Sequence, residues 1–341
     1  MAAASPDELT RTHPAEPLPL EPMDLQLTCI QPGGGVICRI ELGWGHWRRF
    51  WLKTFRPGYV RRMAAIRKGD CNGCPYEVID PRDLKFFRNQ KNYHWEPADD
   101  PFRWRSKLPF ARVGLAELIV FTLLTFGPAI GLAVWLAWAD GGLADPVRVI
   151  GWLVVATLMV FGLLVVWFFR SPHRRVPTDA GLVVAPADGK VVAIDEIEHD
   201  EFLGGPAVQI DIFLSIFNVH VNRSPIAGRV IGLRYRRGKY LNALRPESAR
   251  ENEQLAVRMQ ETVAPYRRYV VRQITGAIAR RIVCWLKPGD ELARGEEFGM
   301  IKLGSRTELV LPREPGLTIR ARLGDKVKAG LTVLAEYEPA V

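Results

Sequence analysis

Three side chains of this chain could act together in nucleophilic catalysis, and each lies in a short run with distinctive neighbours. Asp188 lies in the run APADGK, His220 in the run FNVHVNRSP, and Ser305 directly follows Gly304. A serine hydroxyl is a poor nucleophile until a base takes its proton, and imidazole groups ordinarily titrate near neutral pH. An aspartate commonly orients such a histidine. The three residue types therefore predict a serine nucleophile, a histidine base and an orienting carboxylate.

The Gly304-Ser305 pair lies between two segments that we predict to be strands, Met300–Leu303 and Thr307–Leu311. Glycine leaves its carbonyl carbon open to attack and tolerates a strained backbone. Each motif alone has an ordinary explanation, because Gly-Ser and Asp-Gly pairs are common in turns and a single histidine is usually structural. The occurrence of all three in this order favours the catalytic interpretation.

With these neighbours, the three motifs resemble those of a phosphatidylserine decarboxylase proenzyme in its short bacterial form. The resemblance covers roughly residues 170–337, half of the chain. It implies that the Ser305 hydroxyl attacks the Gly304 carbonyl, so that the zymogen cleaves itself and Ser305 becomes a pyruvoyl cofactor. The products would be chains 1–304 and 305–341, associated as a heterodimer.

The resemblance implies a lyase of phospholipid metabolism that converts phosphatidylserine to phosphatidylethanolamine and carbon dioxide. Loss of carbon dioxide from an amino acid leaves a carbanion, and the pyruvoyl carbonyl withdraws its electrons. The implied catalytic residues are Asp188, His220 and Ser305, with no metal ion and no pyridoxal phosphate.

Three cations near the motifs are candidates for binding the substrate phosphate. They are Arg306, Arg223 and Lys190. Guanidinium groups pair well with phosphate, whereas a cation close to the substrate carboxylate would stabilise the ground state and oppose decarboxylation. A surface charge without a binding role explains each of them equally well.

Two positions differ from the long form of the family and agree with the short bacterial form. The long form contains His-x-x-His-x-Pro, where this chain has His220, Arg223 and Pro225, and it has threonine where this chain has Arg306. Either His220 serves both self-cleavage and decarboxylation, or Asp188 and a water molecule share the work.

Two apolar segments, Val113–Trp138 and Val149–Phe169, are candidates for crossing a membrane. Each has about 20 residues or more, enough to span ~30 Å of hydrocarbon. Arginine and lysine are concentrated on their outer flanks, which predicts that both termini are cytoplasmic. We therefore expect an inner-membrane protein whose catalytic domain faces the cytoplasm. The formal net charge of +9 fits anionic membrane lipid as a partner, and no nucleic-acid-binding motif is recognised.

The remaining sequence predicts four regions. Residues 1–24 are expected to be disordered, residues 25–112 form a basic, aromatic-rich region of unknown role, residues 113–169 form the membrane anchor, and residues 170–341 form the decarboxylase domain. Residues 25–42 suggest a weak hairpin. A helix within residues 44–68 would place aromatic and cationic groups at a bilayer interface, but a solvated basic face with a few core aromatic residues is an equal alternative.

The sequence from Gly181 onward predicts short strands separated by Gly, Pro and Asp turns. Two of these turns are typical of barrel-sandwich modules. The predicted class is therefore α+β, with a mostly β, barrel-sandwich-like domain after a two-helix transmembrane hairpin. Residues 251–262 are expected to form a loop or one helical turn.

Five cysteines leave a possible metal site open. Cys71 and Cys74 have the spacing of half a zinc knuckle, and Cys29 and Cys38 could complete it. Free, reduced thiols are the simpler interpretation and the one that we prefer.

Two other functions are compatible with the sequence. One is a pyruvoyl decarboxylase of another amino substrate, although two membrane segments argue against a soluble one. The other is a non-catalytic membrane adaptor with a lipid-binding β domain, which leaves the three motifs unexplained and predicts an unsplit chain.

Overall fold

The computed structural model describes residues 16–69, 77–87, 93–139, 144–245, 247–277, 281–302 and 304–338. The chain divides into two compact units. The first unit combines Met1–Arg103 with Arg174–Val341, and the second is Trp104–His173.

The first unit is built mainly from fourteen described strands. They are β1 (Leu182–Val184), β2 (Gly189–Asp200), β3 (Gly205–Leu214), β4 (Val221–Arg223), β5 (Gly228–Arg236), β6 (Gln254–Glu261), β7 (Arg268–Ile274), β8 (Arg281–Cys284), β9 (Glu291–Leu292), β10 (Glu297–Lys302), β11 (Ser305–Pro312), β12 (Leu317–Ile319), β13 (Lys326–Val327) and β14 (Val333–Tyr337).

Eight of these strands form one antiparallel sheet in the order β13-β2-β3-β11-β7-β6-β5-β9. Its centre is β11, which is buried along its whole length between β3 and β7. Apolar side chains such as Ile210, Ile212, Leu309 and Leu311 are buried on β3 and β11, although both strands also carry buried charged residues. Ser305 is the first residue of this central strand, and it pairs with Leu214 of β3.

Two smaller sheets complete the unit, in the orders β1-β14-β12 and β4-β10-β8. The second of them positions the motifs, because β4 begins one residue after His220 and β10 ends two residues before Gly304. Met300 of β10 pairs with Val221 of β4 and with Val283 of β8. The loop from β10 to β11 is therefore held beside the strand that follows His220.

The predicted class, α+β with a mostly β domain preceded by two apolar helices, is confirmed. The strands form open sheets, and no barrel is closed among the described residues. The expectation for residues 251–262 was wrong, because Gln254–Glu261 form strand β6. Leu255, Val257 and Met259 are buried and alternate with partly exposed residues, which is the period-two pattern of a strand.

The N-terminal region contains helices α1 (Val36–Phe55), α2 (Pro57–Ile66) and α3 (Leu84–Phe87). The hairpin predicted for residues 25–42 is therefore not observed, since α1 begins within it. A small core lies under α1 and α2. It includes Cys38, Met63, Val78, Phe86 and Trp95.

Residues 16–24 also differ from the expectation of disorder, because they pack along the strands of the first unit. The Leu18 N–H donates to Gln260 Oε1 at 2.8 Å, and the Glu21 N–H donates to the Ile231 carbonyl at 2.9 Å. Residues 1–15 lie outside the described part of the chain. These hydrogen bonds to strands β5 and β6 explain how the proline-rich residues 16–24 acquire an ordered position.

The second unit contains helices α4 (Leu115–Trp138) and α5 (Asp145–Phe168). A further short helix, α6 (Ser248–Glu251), lies in the first unit between β5 and β6. Ala129, Leu136 and Val155 pack between α4 and α5. Both helices are long and apolar enough to cross a membrane, and most of their large apolar side chains are exposed. Helix α5 begins four residues earlier than predicted.

Candidate functional site

The Gly304-Ser305 peptide lies at a sharp change of direction between β10 and β11. Gly304 has a φ of 64°, in the left-handed region that side chains with a Cβ rarely adopt. Ser305 then enters the central strand and is fully buried. Among the described residues, no group lies within hydrogen-bonding distance of the Ser305 hydroxyl oxygen. A buried hydroxyl without a partner is energetically costly, so it is a candidate for a chemical role.

His220 lies against this peptide with both ring nitrogens in defined contacts. Its Nε2 accepts from the Gly304 N–H at 3.3 Å, and its Nδ1 contacts the Asn218 carbonyl at 2.9 Å. A carbonyl can only accept, so Nδ1 carries the hydrogen and Nε2 keeps its lone pair. The ring is fully buried. This tautomer leaves a basic nitrogen at the backbone N–H of Gly304, the residue that precedes Ser305.

The Asn218 carbonyl orients the ring, and the loop that contains it is itself held in place. The Asn218 side chain accepts from the Ser215 N–H at 2.9 Å and from the Ser215 hydroxyl at 2.7 Å. Residue-type reasoning missed this contact, because a backbone carbonyl has no signature in a sequence. The asparagine within FNVH was the available signal, since asparagine often closes a turn on its own backbone.

Asp188 has partners other than the histidine that it was predicted to orient. Its two carboxylate oxygens accept from Arg174 at 2.5 and 2.8 Å, and one also accepts from the Ala329 N–H at 2.8 Å. Arg174 also donates to the Ala329 carbonyl at 2.6 Å. In the sequence, Arg174 is one of several basic residues after the second apolar segment, and no local pattern marks it as the partner of Asp188. The pair is almost completely buried, and its two parallel hydrogen bonds fix the orientation of the carboxylate.

Hydrogen bonds nevertheless join the three motifs. The Arg223 N–H donates to the Pro186 carbonyl at 2.9 Å, which connects the APADGK run to strand β4. The Asn222 amide donates to the Thr307 hydroxyl at 3.1 Å, which connects β4 to β11. The Ile301 N–H donates to the His220 carbonyl at 3.1 Å. The three motifs therefore meet in one buried region.

The two arginines predicted to bind phosphate have carboxylate partners instead. Arg306 pairs with Asp211 and lies 3.4 Å from Glu308. Arg223 donates to Glu297 at 2.6 Å and to the Gly295 carbonyl at 2.9 Å. Both are buried, so their charges are compensated within the protein and we do not retain them as phosphate ligands. Lys190 is exposed on β2, and its role stays a prediction.

Arg306 belongs to a buried cluster of charges on the central strands. Glu308 is 3.2 Å from Arg272 and is also near Asp211, which shares Arg306. Burial and, next, the negative charge of Asp211 raise the pKa of Glu308 to about 7, against the opposing effect of Arg272 and Arg306. Burial likewise raises the pKa of Asp211. Arg306, which follows Ser305, is therefore held in place by buried carboxylates.

Gly276 lies against the carbonyl oxygen of Gly304. A Cβ built on Gly276 would be 2.4 Å from that oxygen and 3.3 Å from the Ala243 side chain. No Cβ and carbonyl oxygen approach so closely, so only glycine fits here while the Gly304 carbonyl keeps its position. No sequence motif marks Gly276, because its requirement for glycine arises only from this approach in space.

The described residues fit the formation of a pyruvoyl group from Ser305, since a partnerless hydroxyl, an adjacent basic nitrogen and an uncrowded carbonyl occur together. For a metal ion, the described part of the chain contains no group of three or more His, Cys, Asp or Glu residues that could hold one. Cys71 and Cys74 lie outside the described residues, so the zinc-knuckle alternative stays untested. Burial raises the pKa of the Cys29 and Cys38 thiols, which disfavours thiolate ligands there.

Comparison with known proteins gives a consistent result. Residues 161–335 match the family model described as phosphatidylserine decarboxylase. The range includes Asp188, His220, Gly304 and Ser305. Curated relatives named phosphatidylserine decarboxylase proenzyme extend the match along the chain.

The relative from Rhodopirellula baltica is 53% identical over 255 residues, which cover 75% of this chain and 99% of that protein. The relative from Nitrosomonas eutropha is 45% identical over 187 residues, which cover 55% of this chain and 84% of that protein. The relative from Carboxydothermus hydrogenoformans is 45% identical over 187 residues, which cover 55% of this chain and 85% of that protein. The N-terminal extension fits the part of this chain that is left unmatched.

We expect Gly276→Ala to slow cleavage between residues 304 and 305 on the order of 100-fold, because the new methyl group must displace the Gly304 carbonyl. The fraction of uncleaved chain over time, measured by denaturing electrophoresis, tests this expectation. Gly58→Ala is the matched control, since a Cβ there meets open space. Equal cleavage rates in the two variants would contradict the proposed crowding.

We expect Glu308→Gln to gain thermal stability relative to the parent protein as the pH rises from about 5 to about 8. The folded-state pKa is raised, so Glu308 contributes stability at low pH that is lost as the pH rises through about 7. Glutamine mimics the protonated form at every pH and avoids that loss. Melting temperatures in detergent across this pH range provide the measurement, and exposed Glu196→Gln provides the control. A stability difference independent of pH would contradict the expectation.

Proposed function

This chain belongs to the phosphatidylserine decarboxylase family of carboxy-lyases, and from that premise we propose that it is a self-cleaving proenzyme that acts on phosphatidylserine through a pyruvoyl group. The observation that carries the proposal is the contact between His220 Nε2 and the Gly304 N–H, next to the partnerless Ser305 hydroxyl. The curated relatives carry the name proenzyme, which fits an active form made by processing.

In the proposed first step, the Ser305 hydroxyl oxygen attacks the Gly304 carbonyl carbon. His220 Nε2 accepts the hydroxyl proton and returns a proton to the Ser305 nitrogen as the peptide bond breaks. The product is an ester between Ser305 and the Gly304 carboxyl group. The left-handed backbone at Gly304 and the glycine at position 276 keep the carbonyl uncrowded for this attack.

In the second step, loss of the Ser305 Cα proton expels the Gly304 carboxylate and leaves dehydroalanine. Addition of water and release of ammonia then give the pyruvoyl group. When formed, this group supplies an electron-accepting carbonyl for decarboxylation of the substrate. Burial of Ser305 and His220 limits the access of bulk water to the reacting atoms.

Proton transfer is assigned to His220 in both cleavage and decarboxylation. The arginine at position 223 is committed to Glu297 and Gly295, so it does not replace the second histidine of the long form. We propose Asp188 as a positioning residue that acts through Arg174 and the Ala329 backbone, with the Asn218 carbonyl orienting the imidazole.

Exposed apolar side chains that are close in sequence to residues of the site support a lipid substrate. Ile216 and Phe217 are exposed on the loop that leads to His220. Leu244 is also exposed, and its neighbour Ala243 adjoins Gly276 beside the Gly304 carbonyl. Exposed apolar groups around a polar site suit a substrate whose head group is charged and whose remainder lies in a bilayer.

We further propose that α4 and α5 span the membrane, with both termini in the cytoplasm and the catalytic domain facing it. The helices are apolar and largely exposed, as lipid contact requires. Arginine and lysine flank them at residues 103–112 and 170–175. Such an anchor keeps the decarboxylase domain close to its membrane substrate, and its proposed lipid partners are anionic.

The decisive experiment is intact-mass analysis of the purified protein. We expect one chain of residues 1–304 and a second of residues 305–341 that lacks a free amino group, reacts with hydrazine-type reagents and loses activity after borohydride reduction. Ser305→Ala should remain a single, inactive chain, because no hydroxyl can attack the Gly304 carbonyl. Ser305→Cys should split more slowly, because a thiol forms the pyruvoyl group less readily.

Two further variants complete this test. His220→Ala should leave a folded, full-length, inactive precursor, and normal splitting would assign the cleavage base to another group. Ser224→Ala removes a buried hydroxyl that donates to the Ile226 carbonyl and is the matched control, which should split normally. A fully active parent protein with an intact bond between residues 304 and 305 would overturn the mechanism. An unsplit, inactive protein would favour the adaptor function.

The orientation is tested with a cysteine placed at Gly141, in the loop between the two predicted spans. It should react with an impermeant thiol reagent from the outer side of the membrane, because positive flanks are retained in the cytoplasm. A cysteine at Val341 is the control and should stay unlabelled until the membrane is opened. Labelling at Val341 but not at Gly141 would reverse the orientation.

A further inference from the structure

Helix α1 has a second apolar face, which the protein's own core does not use. Seven large side chains on it are between 37% and 73% exposed: Val36, Ile40, Trp44, Trp47, Phe50, Trp51 and Phe55. Most follow one another at intervals of three or four residues, so they share one side of the helix. We call this set the aromatic face. The rings of Trp44 and Trp47 lie 4.9 Å apart, and those of Trp51 and Phe55 lie 5.9 Å apart.

The opposite side of α1 is held firmly, which fixes the direction of the aromatic face. Cys38 and Leu52 are buried there. Arg49 donates to Asp83 at 3.1 Å and Arg48 pairs with Asp80, with both aspartates buried. Rotation of the helix to hide the aromatic face would expose the core and break these buried ion pairs. Such pairs are costly to separate, so the face stays outward in the folded protein.

The surroundings of the aromatic face are basic. Exposed cations lie on the flanks of α1 and on the segment that follows it: Arg39, Lys53, Arg56, Arg61 and Arg62. The nearby acidic groups Glu41 and Glu77 are paired with Lys85 and Lys53. Tryptophan and phenylalanine beside arginine and lysine are the side chains that bind a bilayer surface with anionic head groups.

We propose that the aromatic face of α1 inserts into the surface of an anionic lipid bilayer and forms a membrane contact additional to helices α4 and α5. A second copy of the chain is a poorer occupant, because a twofold interface would bring the same basic residues of both copies together. The contact lies N-terminal to residues 161–335, which match the family model, and it does not depend on the chemistry at Ser305.

The test uses the full-length protein in phosphatidylcholine vesicles that contain phosphatidylglycerol. A nitroxide is attached to a cysteine at Trp47 or, as the matched control, at Lys53, which is exposed on the basic flank of the same helix. Cys29, Cys71 and Cys74 are replaced by serine, and the buried Cys38 and Cys284 are kept. Collision rates of each nitroxide with oxygen and with a water-soluble nickel chelate are measured.

We expect the oxygen-to-nickel collision ratio to be several-fold higher at position 47 than at position 53, because oxygen concentrates in lipid and the chelate is excluded from it. Equal ratios would overturn the proposal, since the face would then lie in water. Low collision rates with both reagents at position 47 would also overturn it, because a protein surface would cover the face.

A second measurement avoids the cysteine replacements. A photo-reactive phenylalanine analogue replaces Trp47 or Lys53, and the illuminated sample is analysed by mass spectrometry. Adducts with phospholipid at position 47 but not at position 53 are expected. Crosslinks from position 47 to protein alone would overturn the proposal. Neither readout uses decarboxylase activity, so failure of this proposal is distinguishable from failure of the proposed function.

Discussion

The hydrogen bond from the Gly304 N–H to His220 Nε2 is the contact on which the rest of the site depends. It requires a neutral imidazole that carries its hydrogen on Nδ1, and the Asn218 carbonyl accepts a hydrogen bond from that nitrogen. It also requires that the turn between β10 and β11 lie beside β4, which the β4-β10-β8 sheet enforces. The same turn delivers Ser305 to the centre of the large sheet, where its hydroxyl is buried without a partner among the described residues.

Buried charges hold this arrangement from two sides. Arg174 forms an ion pair with Asp188, one residue before β2. On the central strands, Arg306 forms ion pairs with Asp211 and Glu308. Removing one member of such a pair leaves an uncompensated charge in a medium of low polarity, at a cost of roughly 3–5 kcal/mol. These pairs therefore specify one backbone position for each motif. Because Arg306 and Arg223 already have carboxylate partners, their charges are compensated within the protein.

The N-terminal extension is a folded part of the first unit. Residues 18–30 add hydrogen bonds to strands of the decarboxylase domain, and α1 and α2 cover a small core of their own. In α1 the inner face carries the buried ion pairs and the outer face carries the aromatic side chains. The exposed aromatic side therefore lacks an apolar partner among the described residues, which is the reason for proposing a bilayer contact there.

Local pattern determined much of this protein. Apolar runs identified α4 and α5, period-two burial identified most strands, and three short motifs identified the family together with His220, Gly304 and Ser305. These features depend on neighbouring residues or on chemistry specific to a side-chain type. Tertiary structure decided the partners. Gly276 approaches the Gly304 carbonyl because the folded strands bring residues that are far apart in sequence together. Arg174 reaches Asp188 and the Ala329 backbone only when the chain folds back on itself, and Asn218 orients His220 through the local shape of a loop. The type of a residue does not tell which arginine pairs with a given carboxylate, or which backbone carbonyl a histidine contacts, since both depend on the backbone path in space.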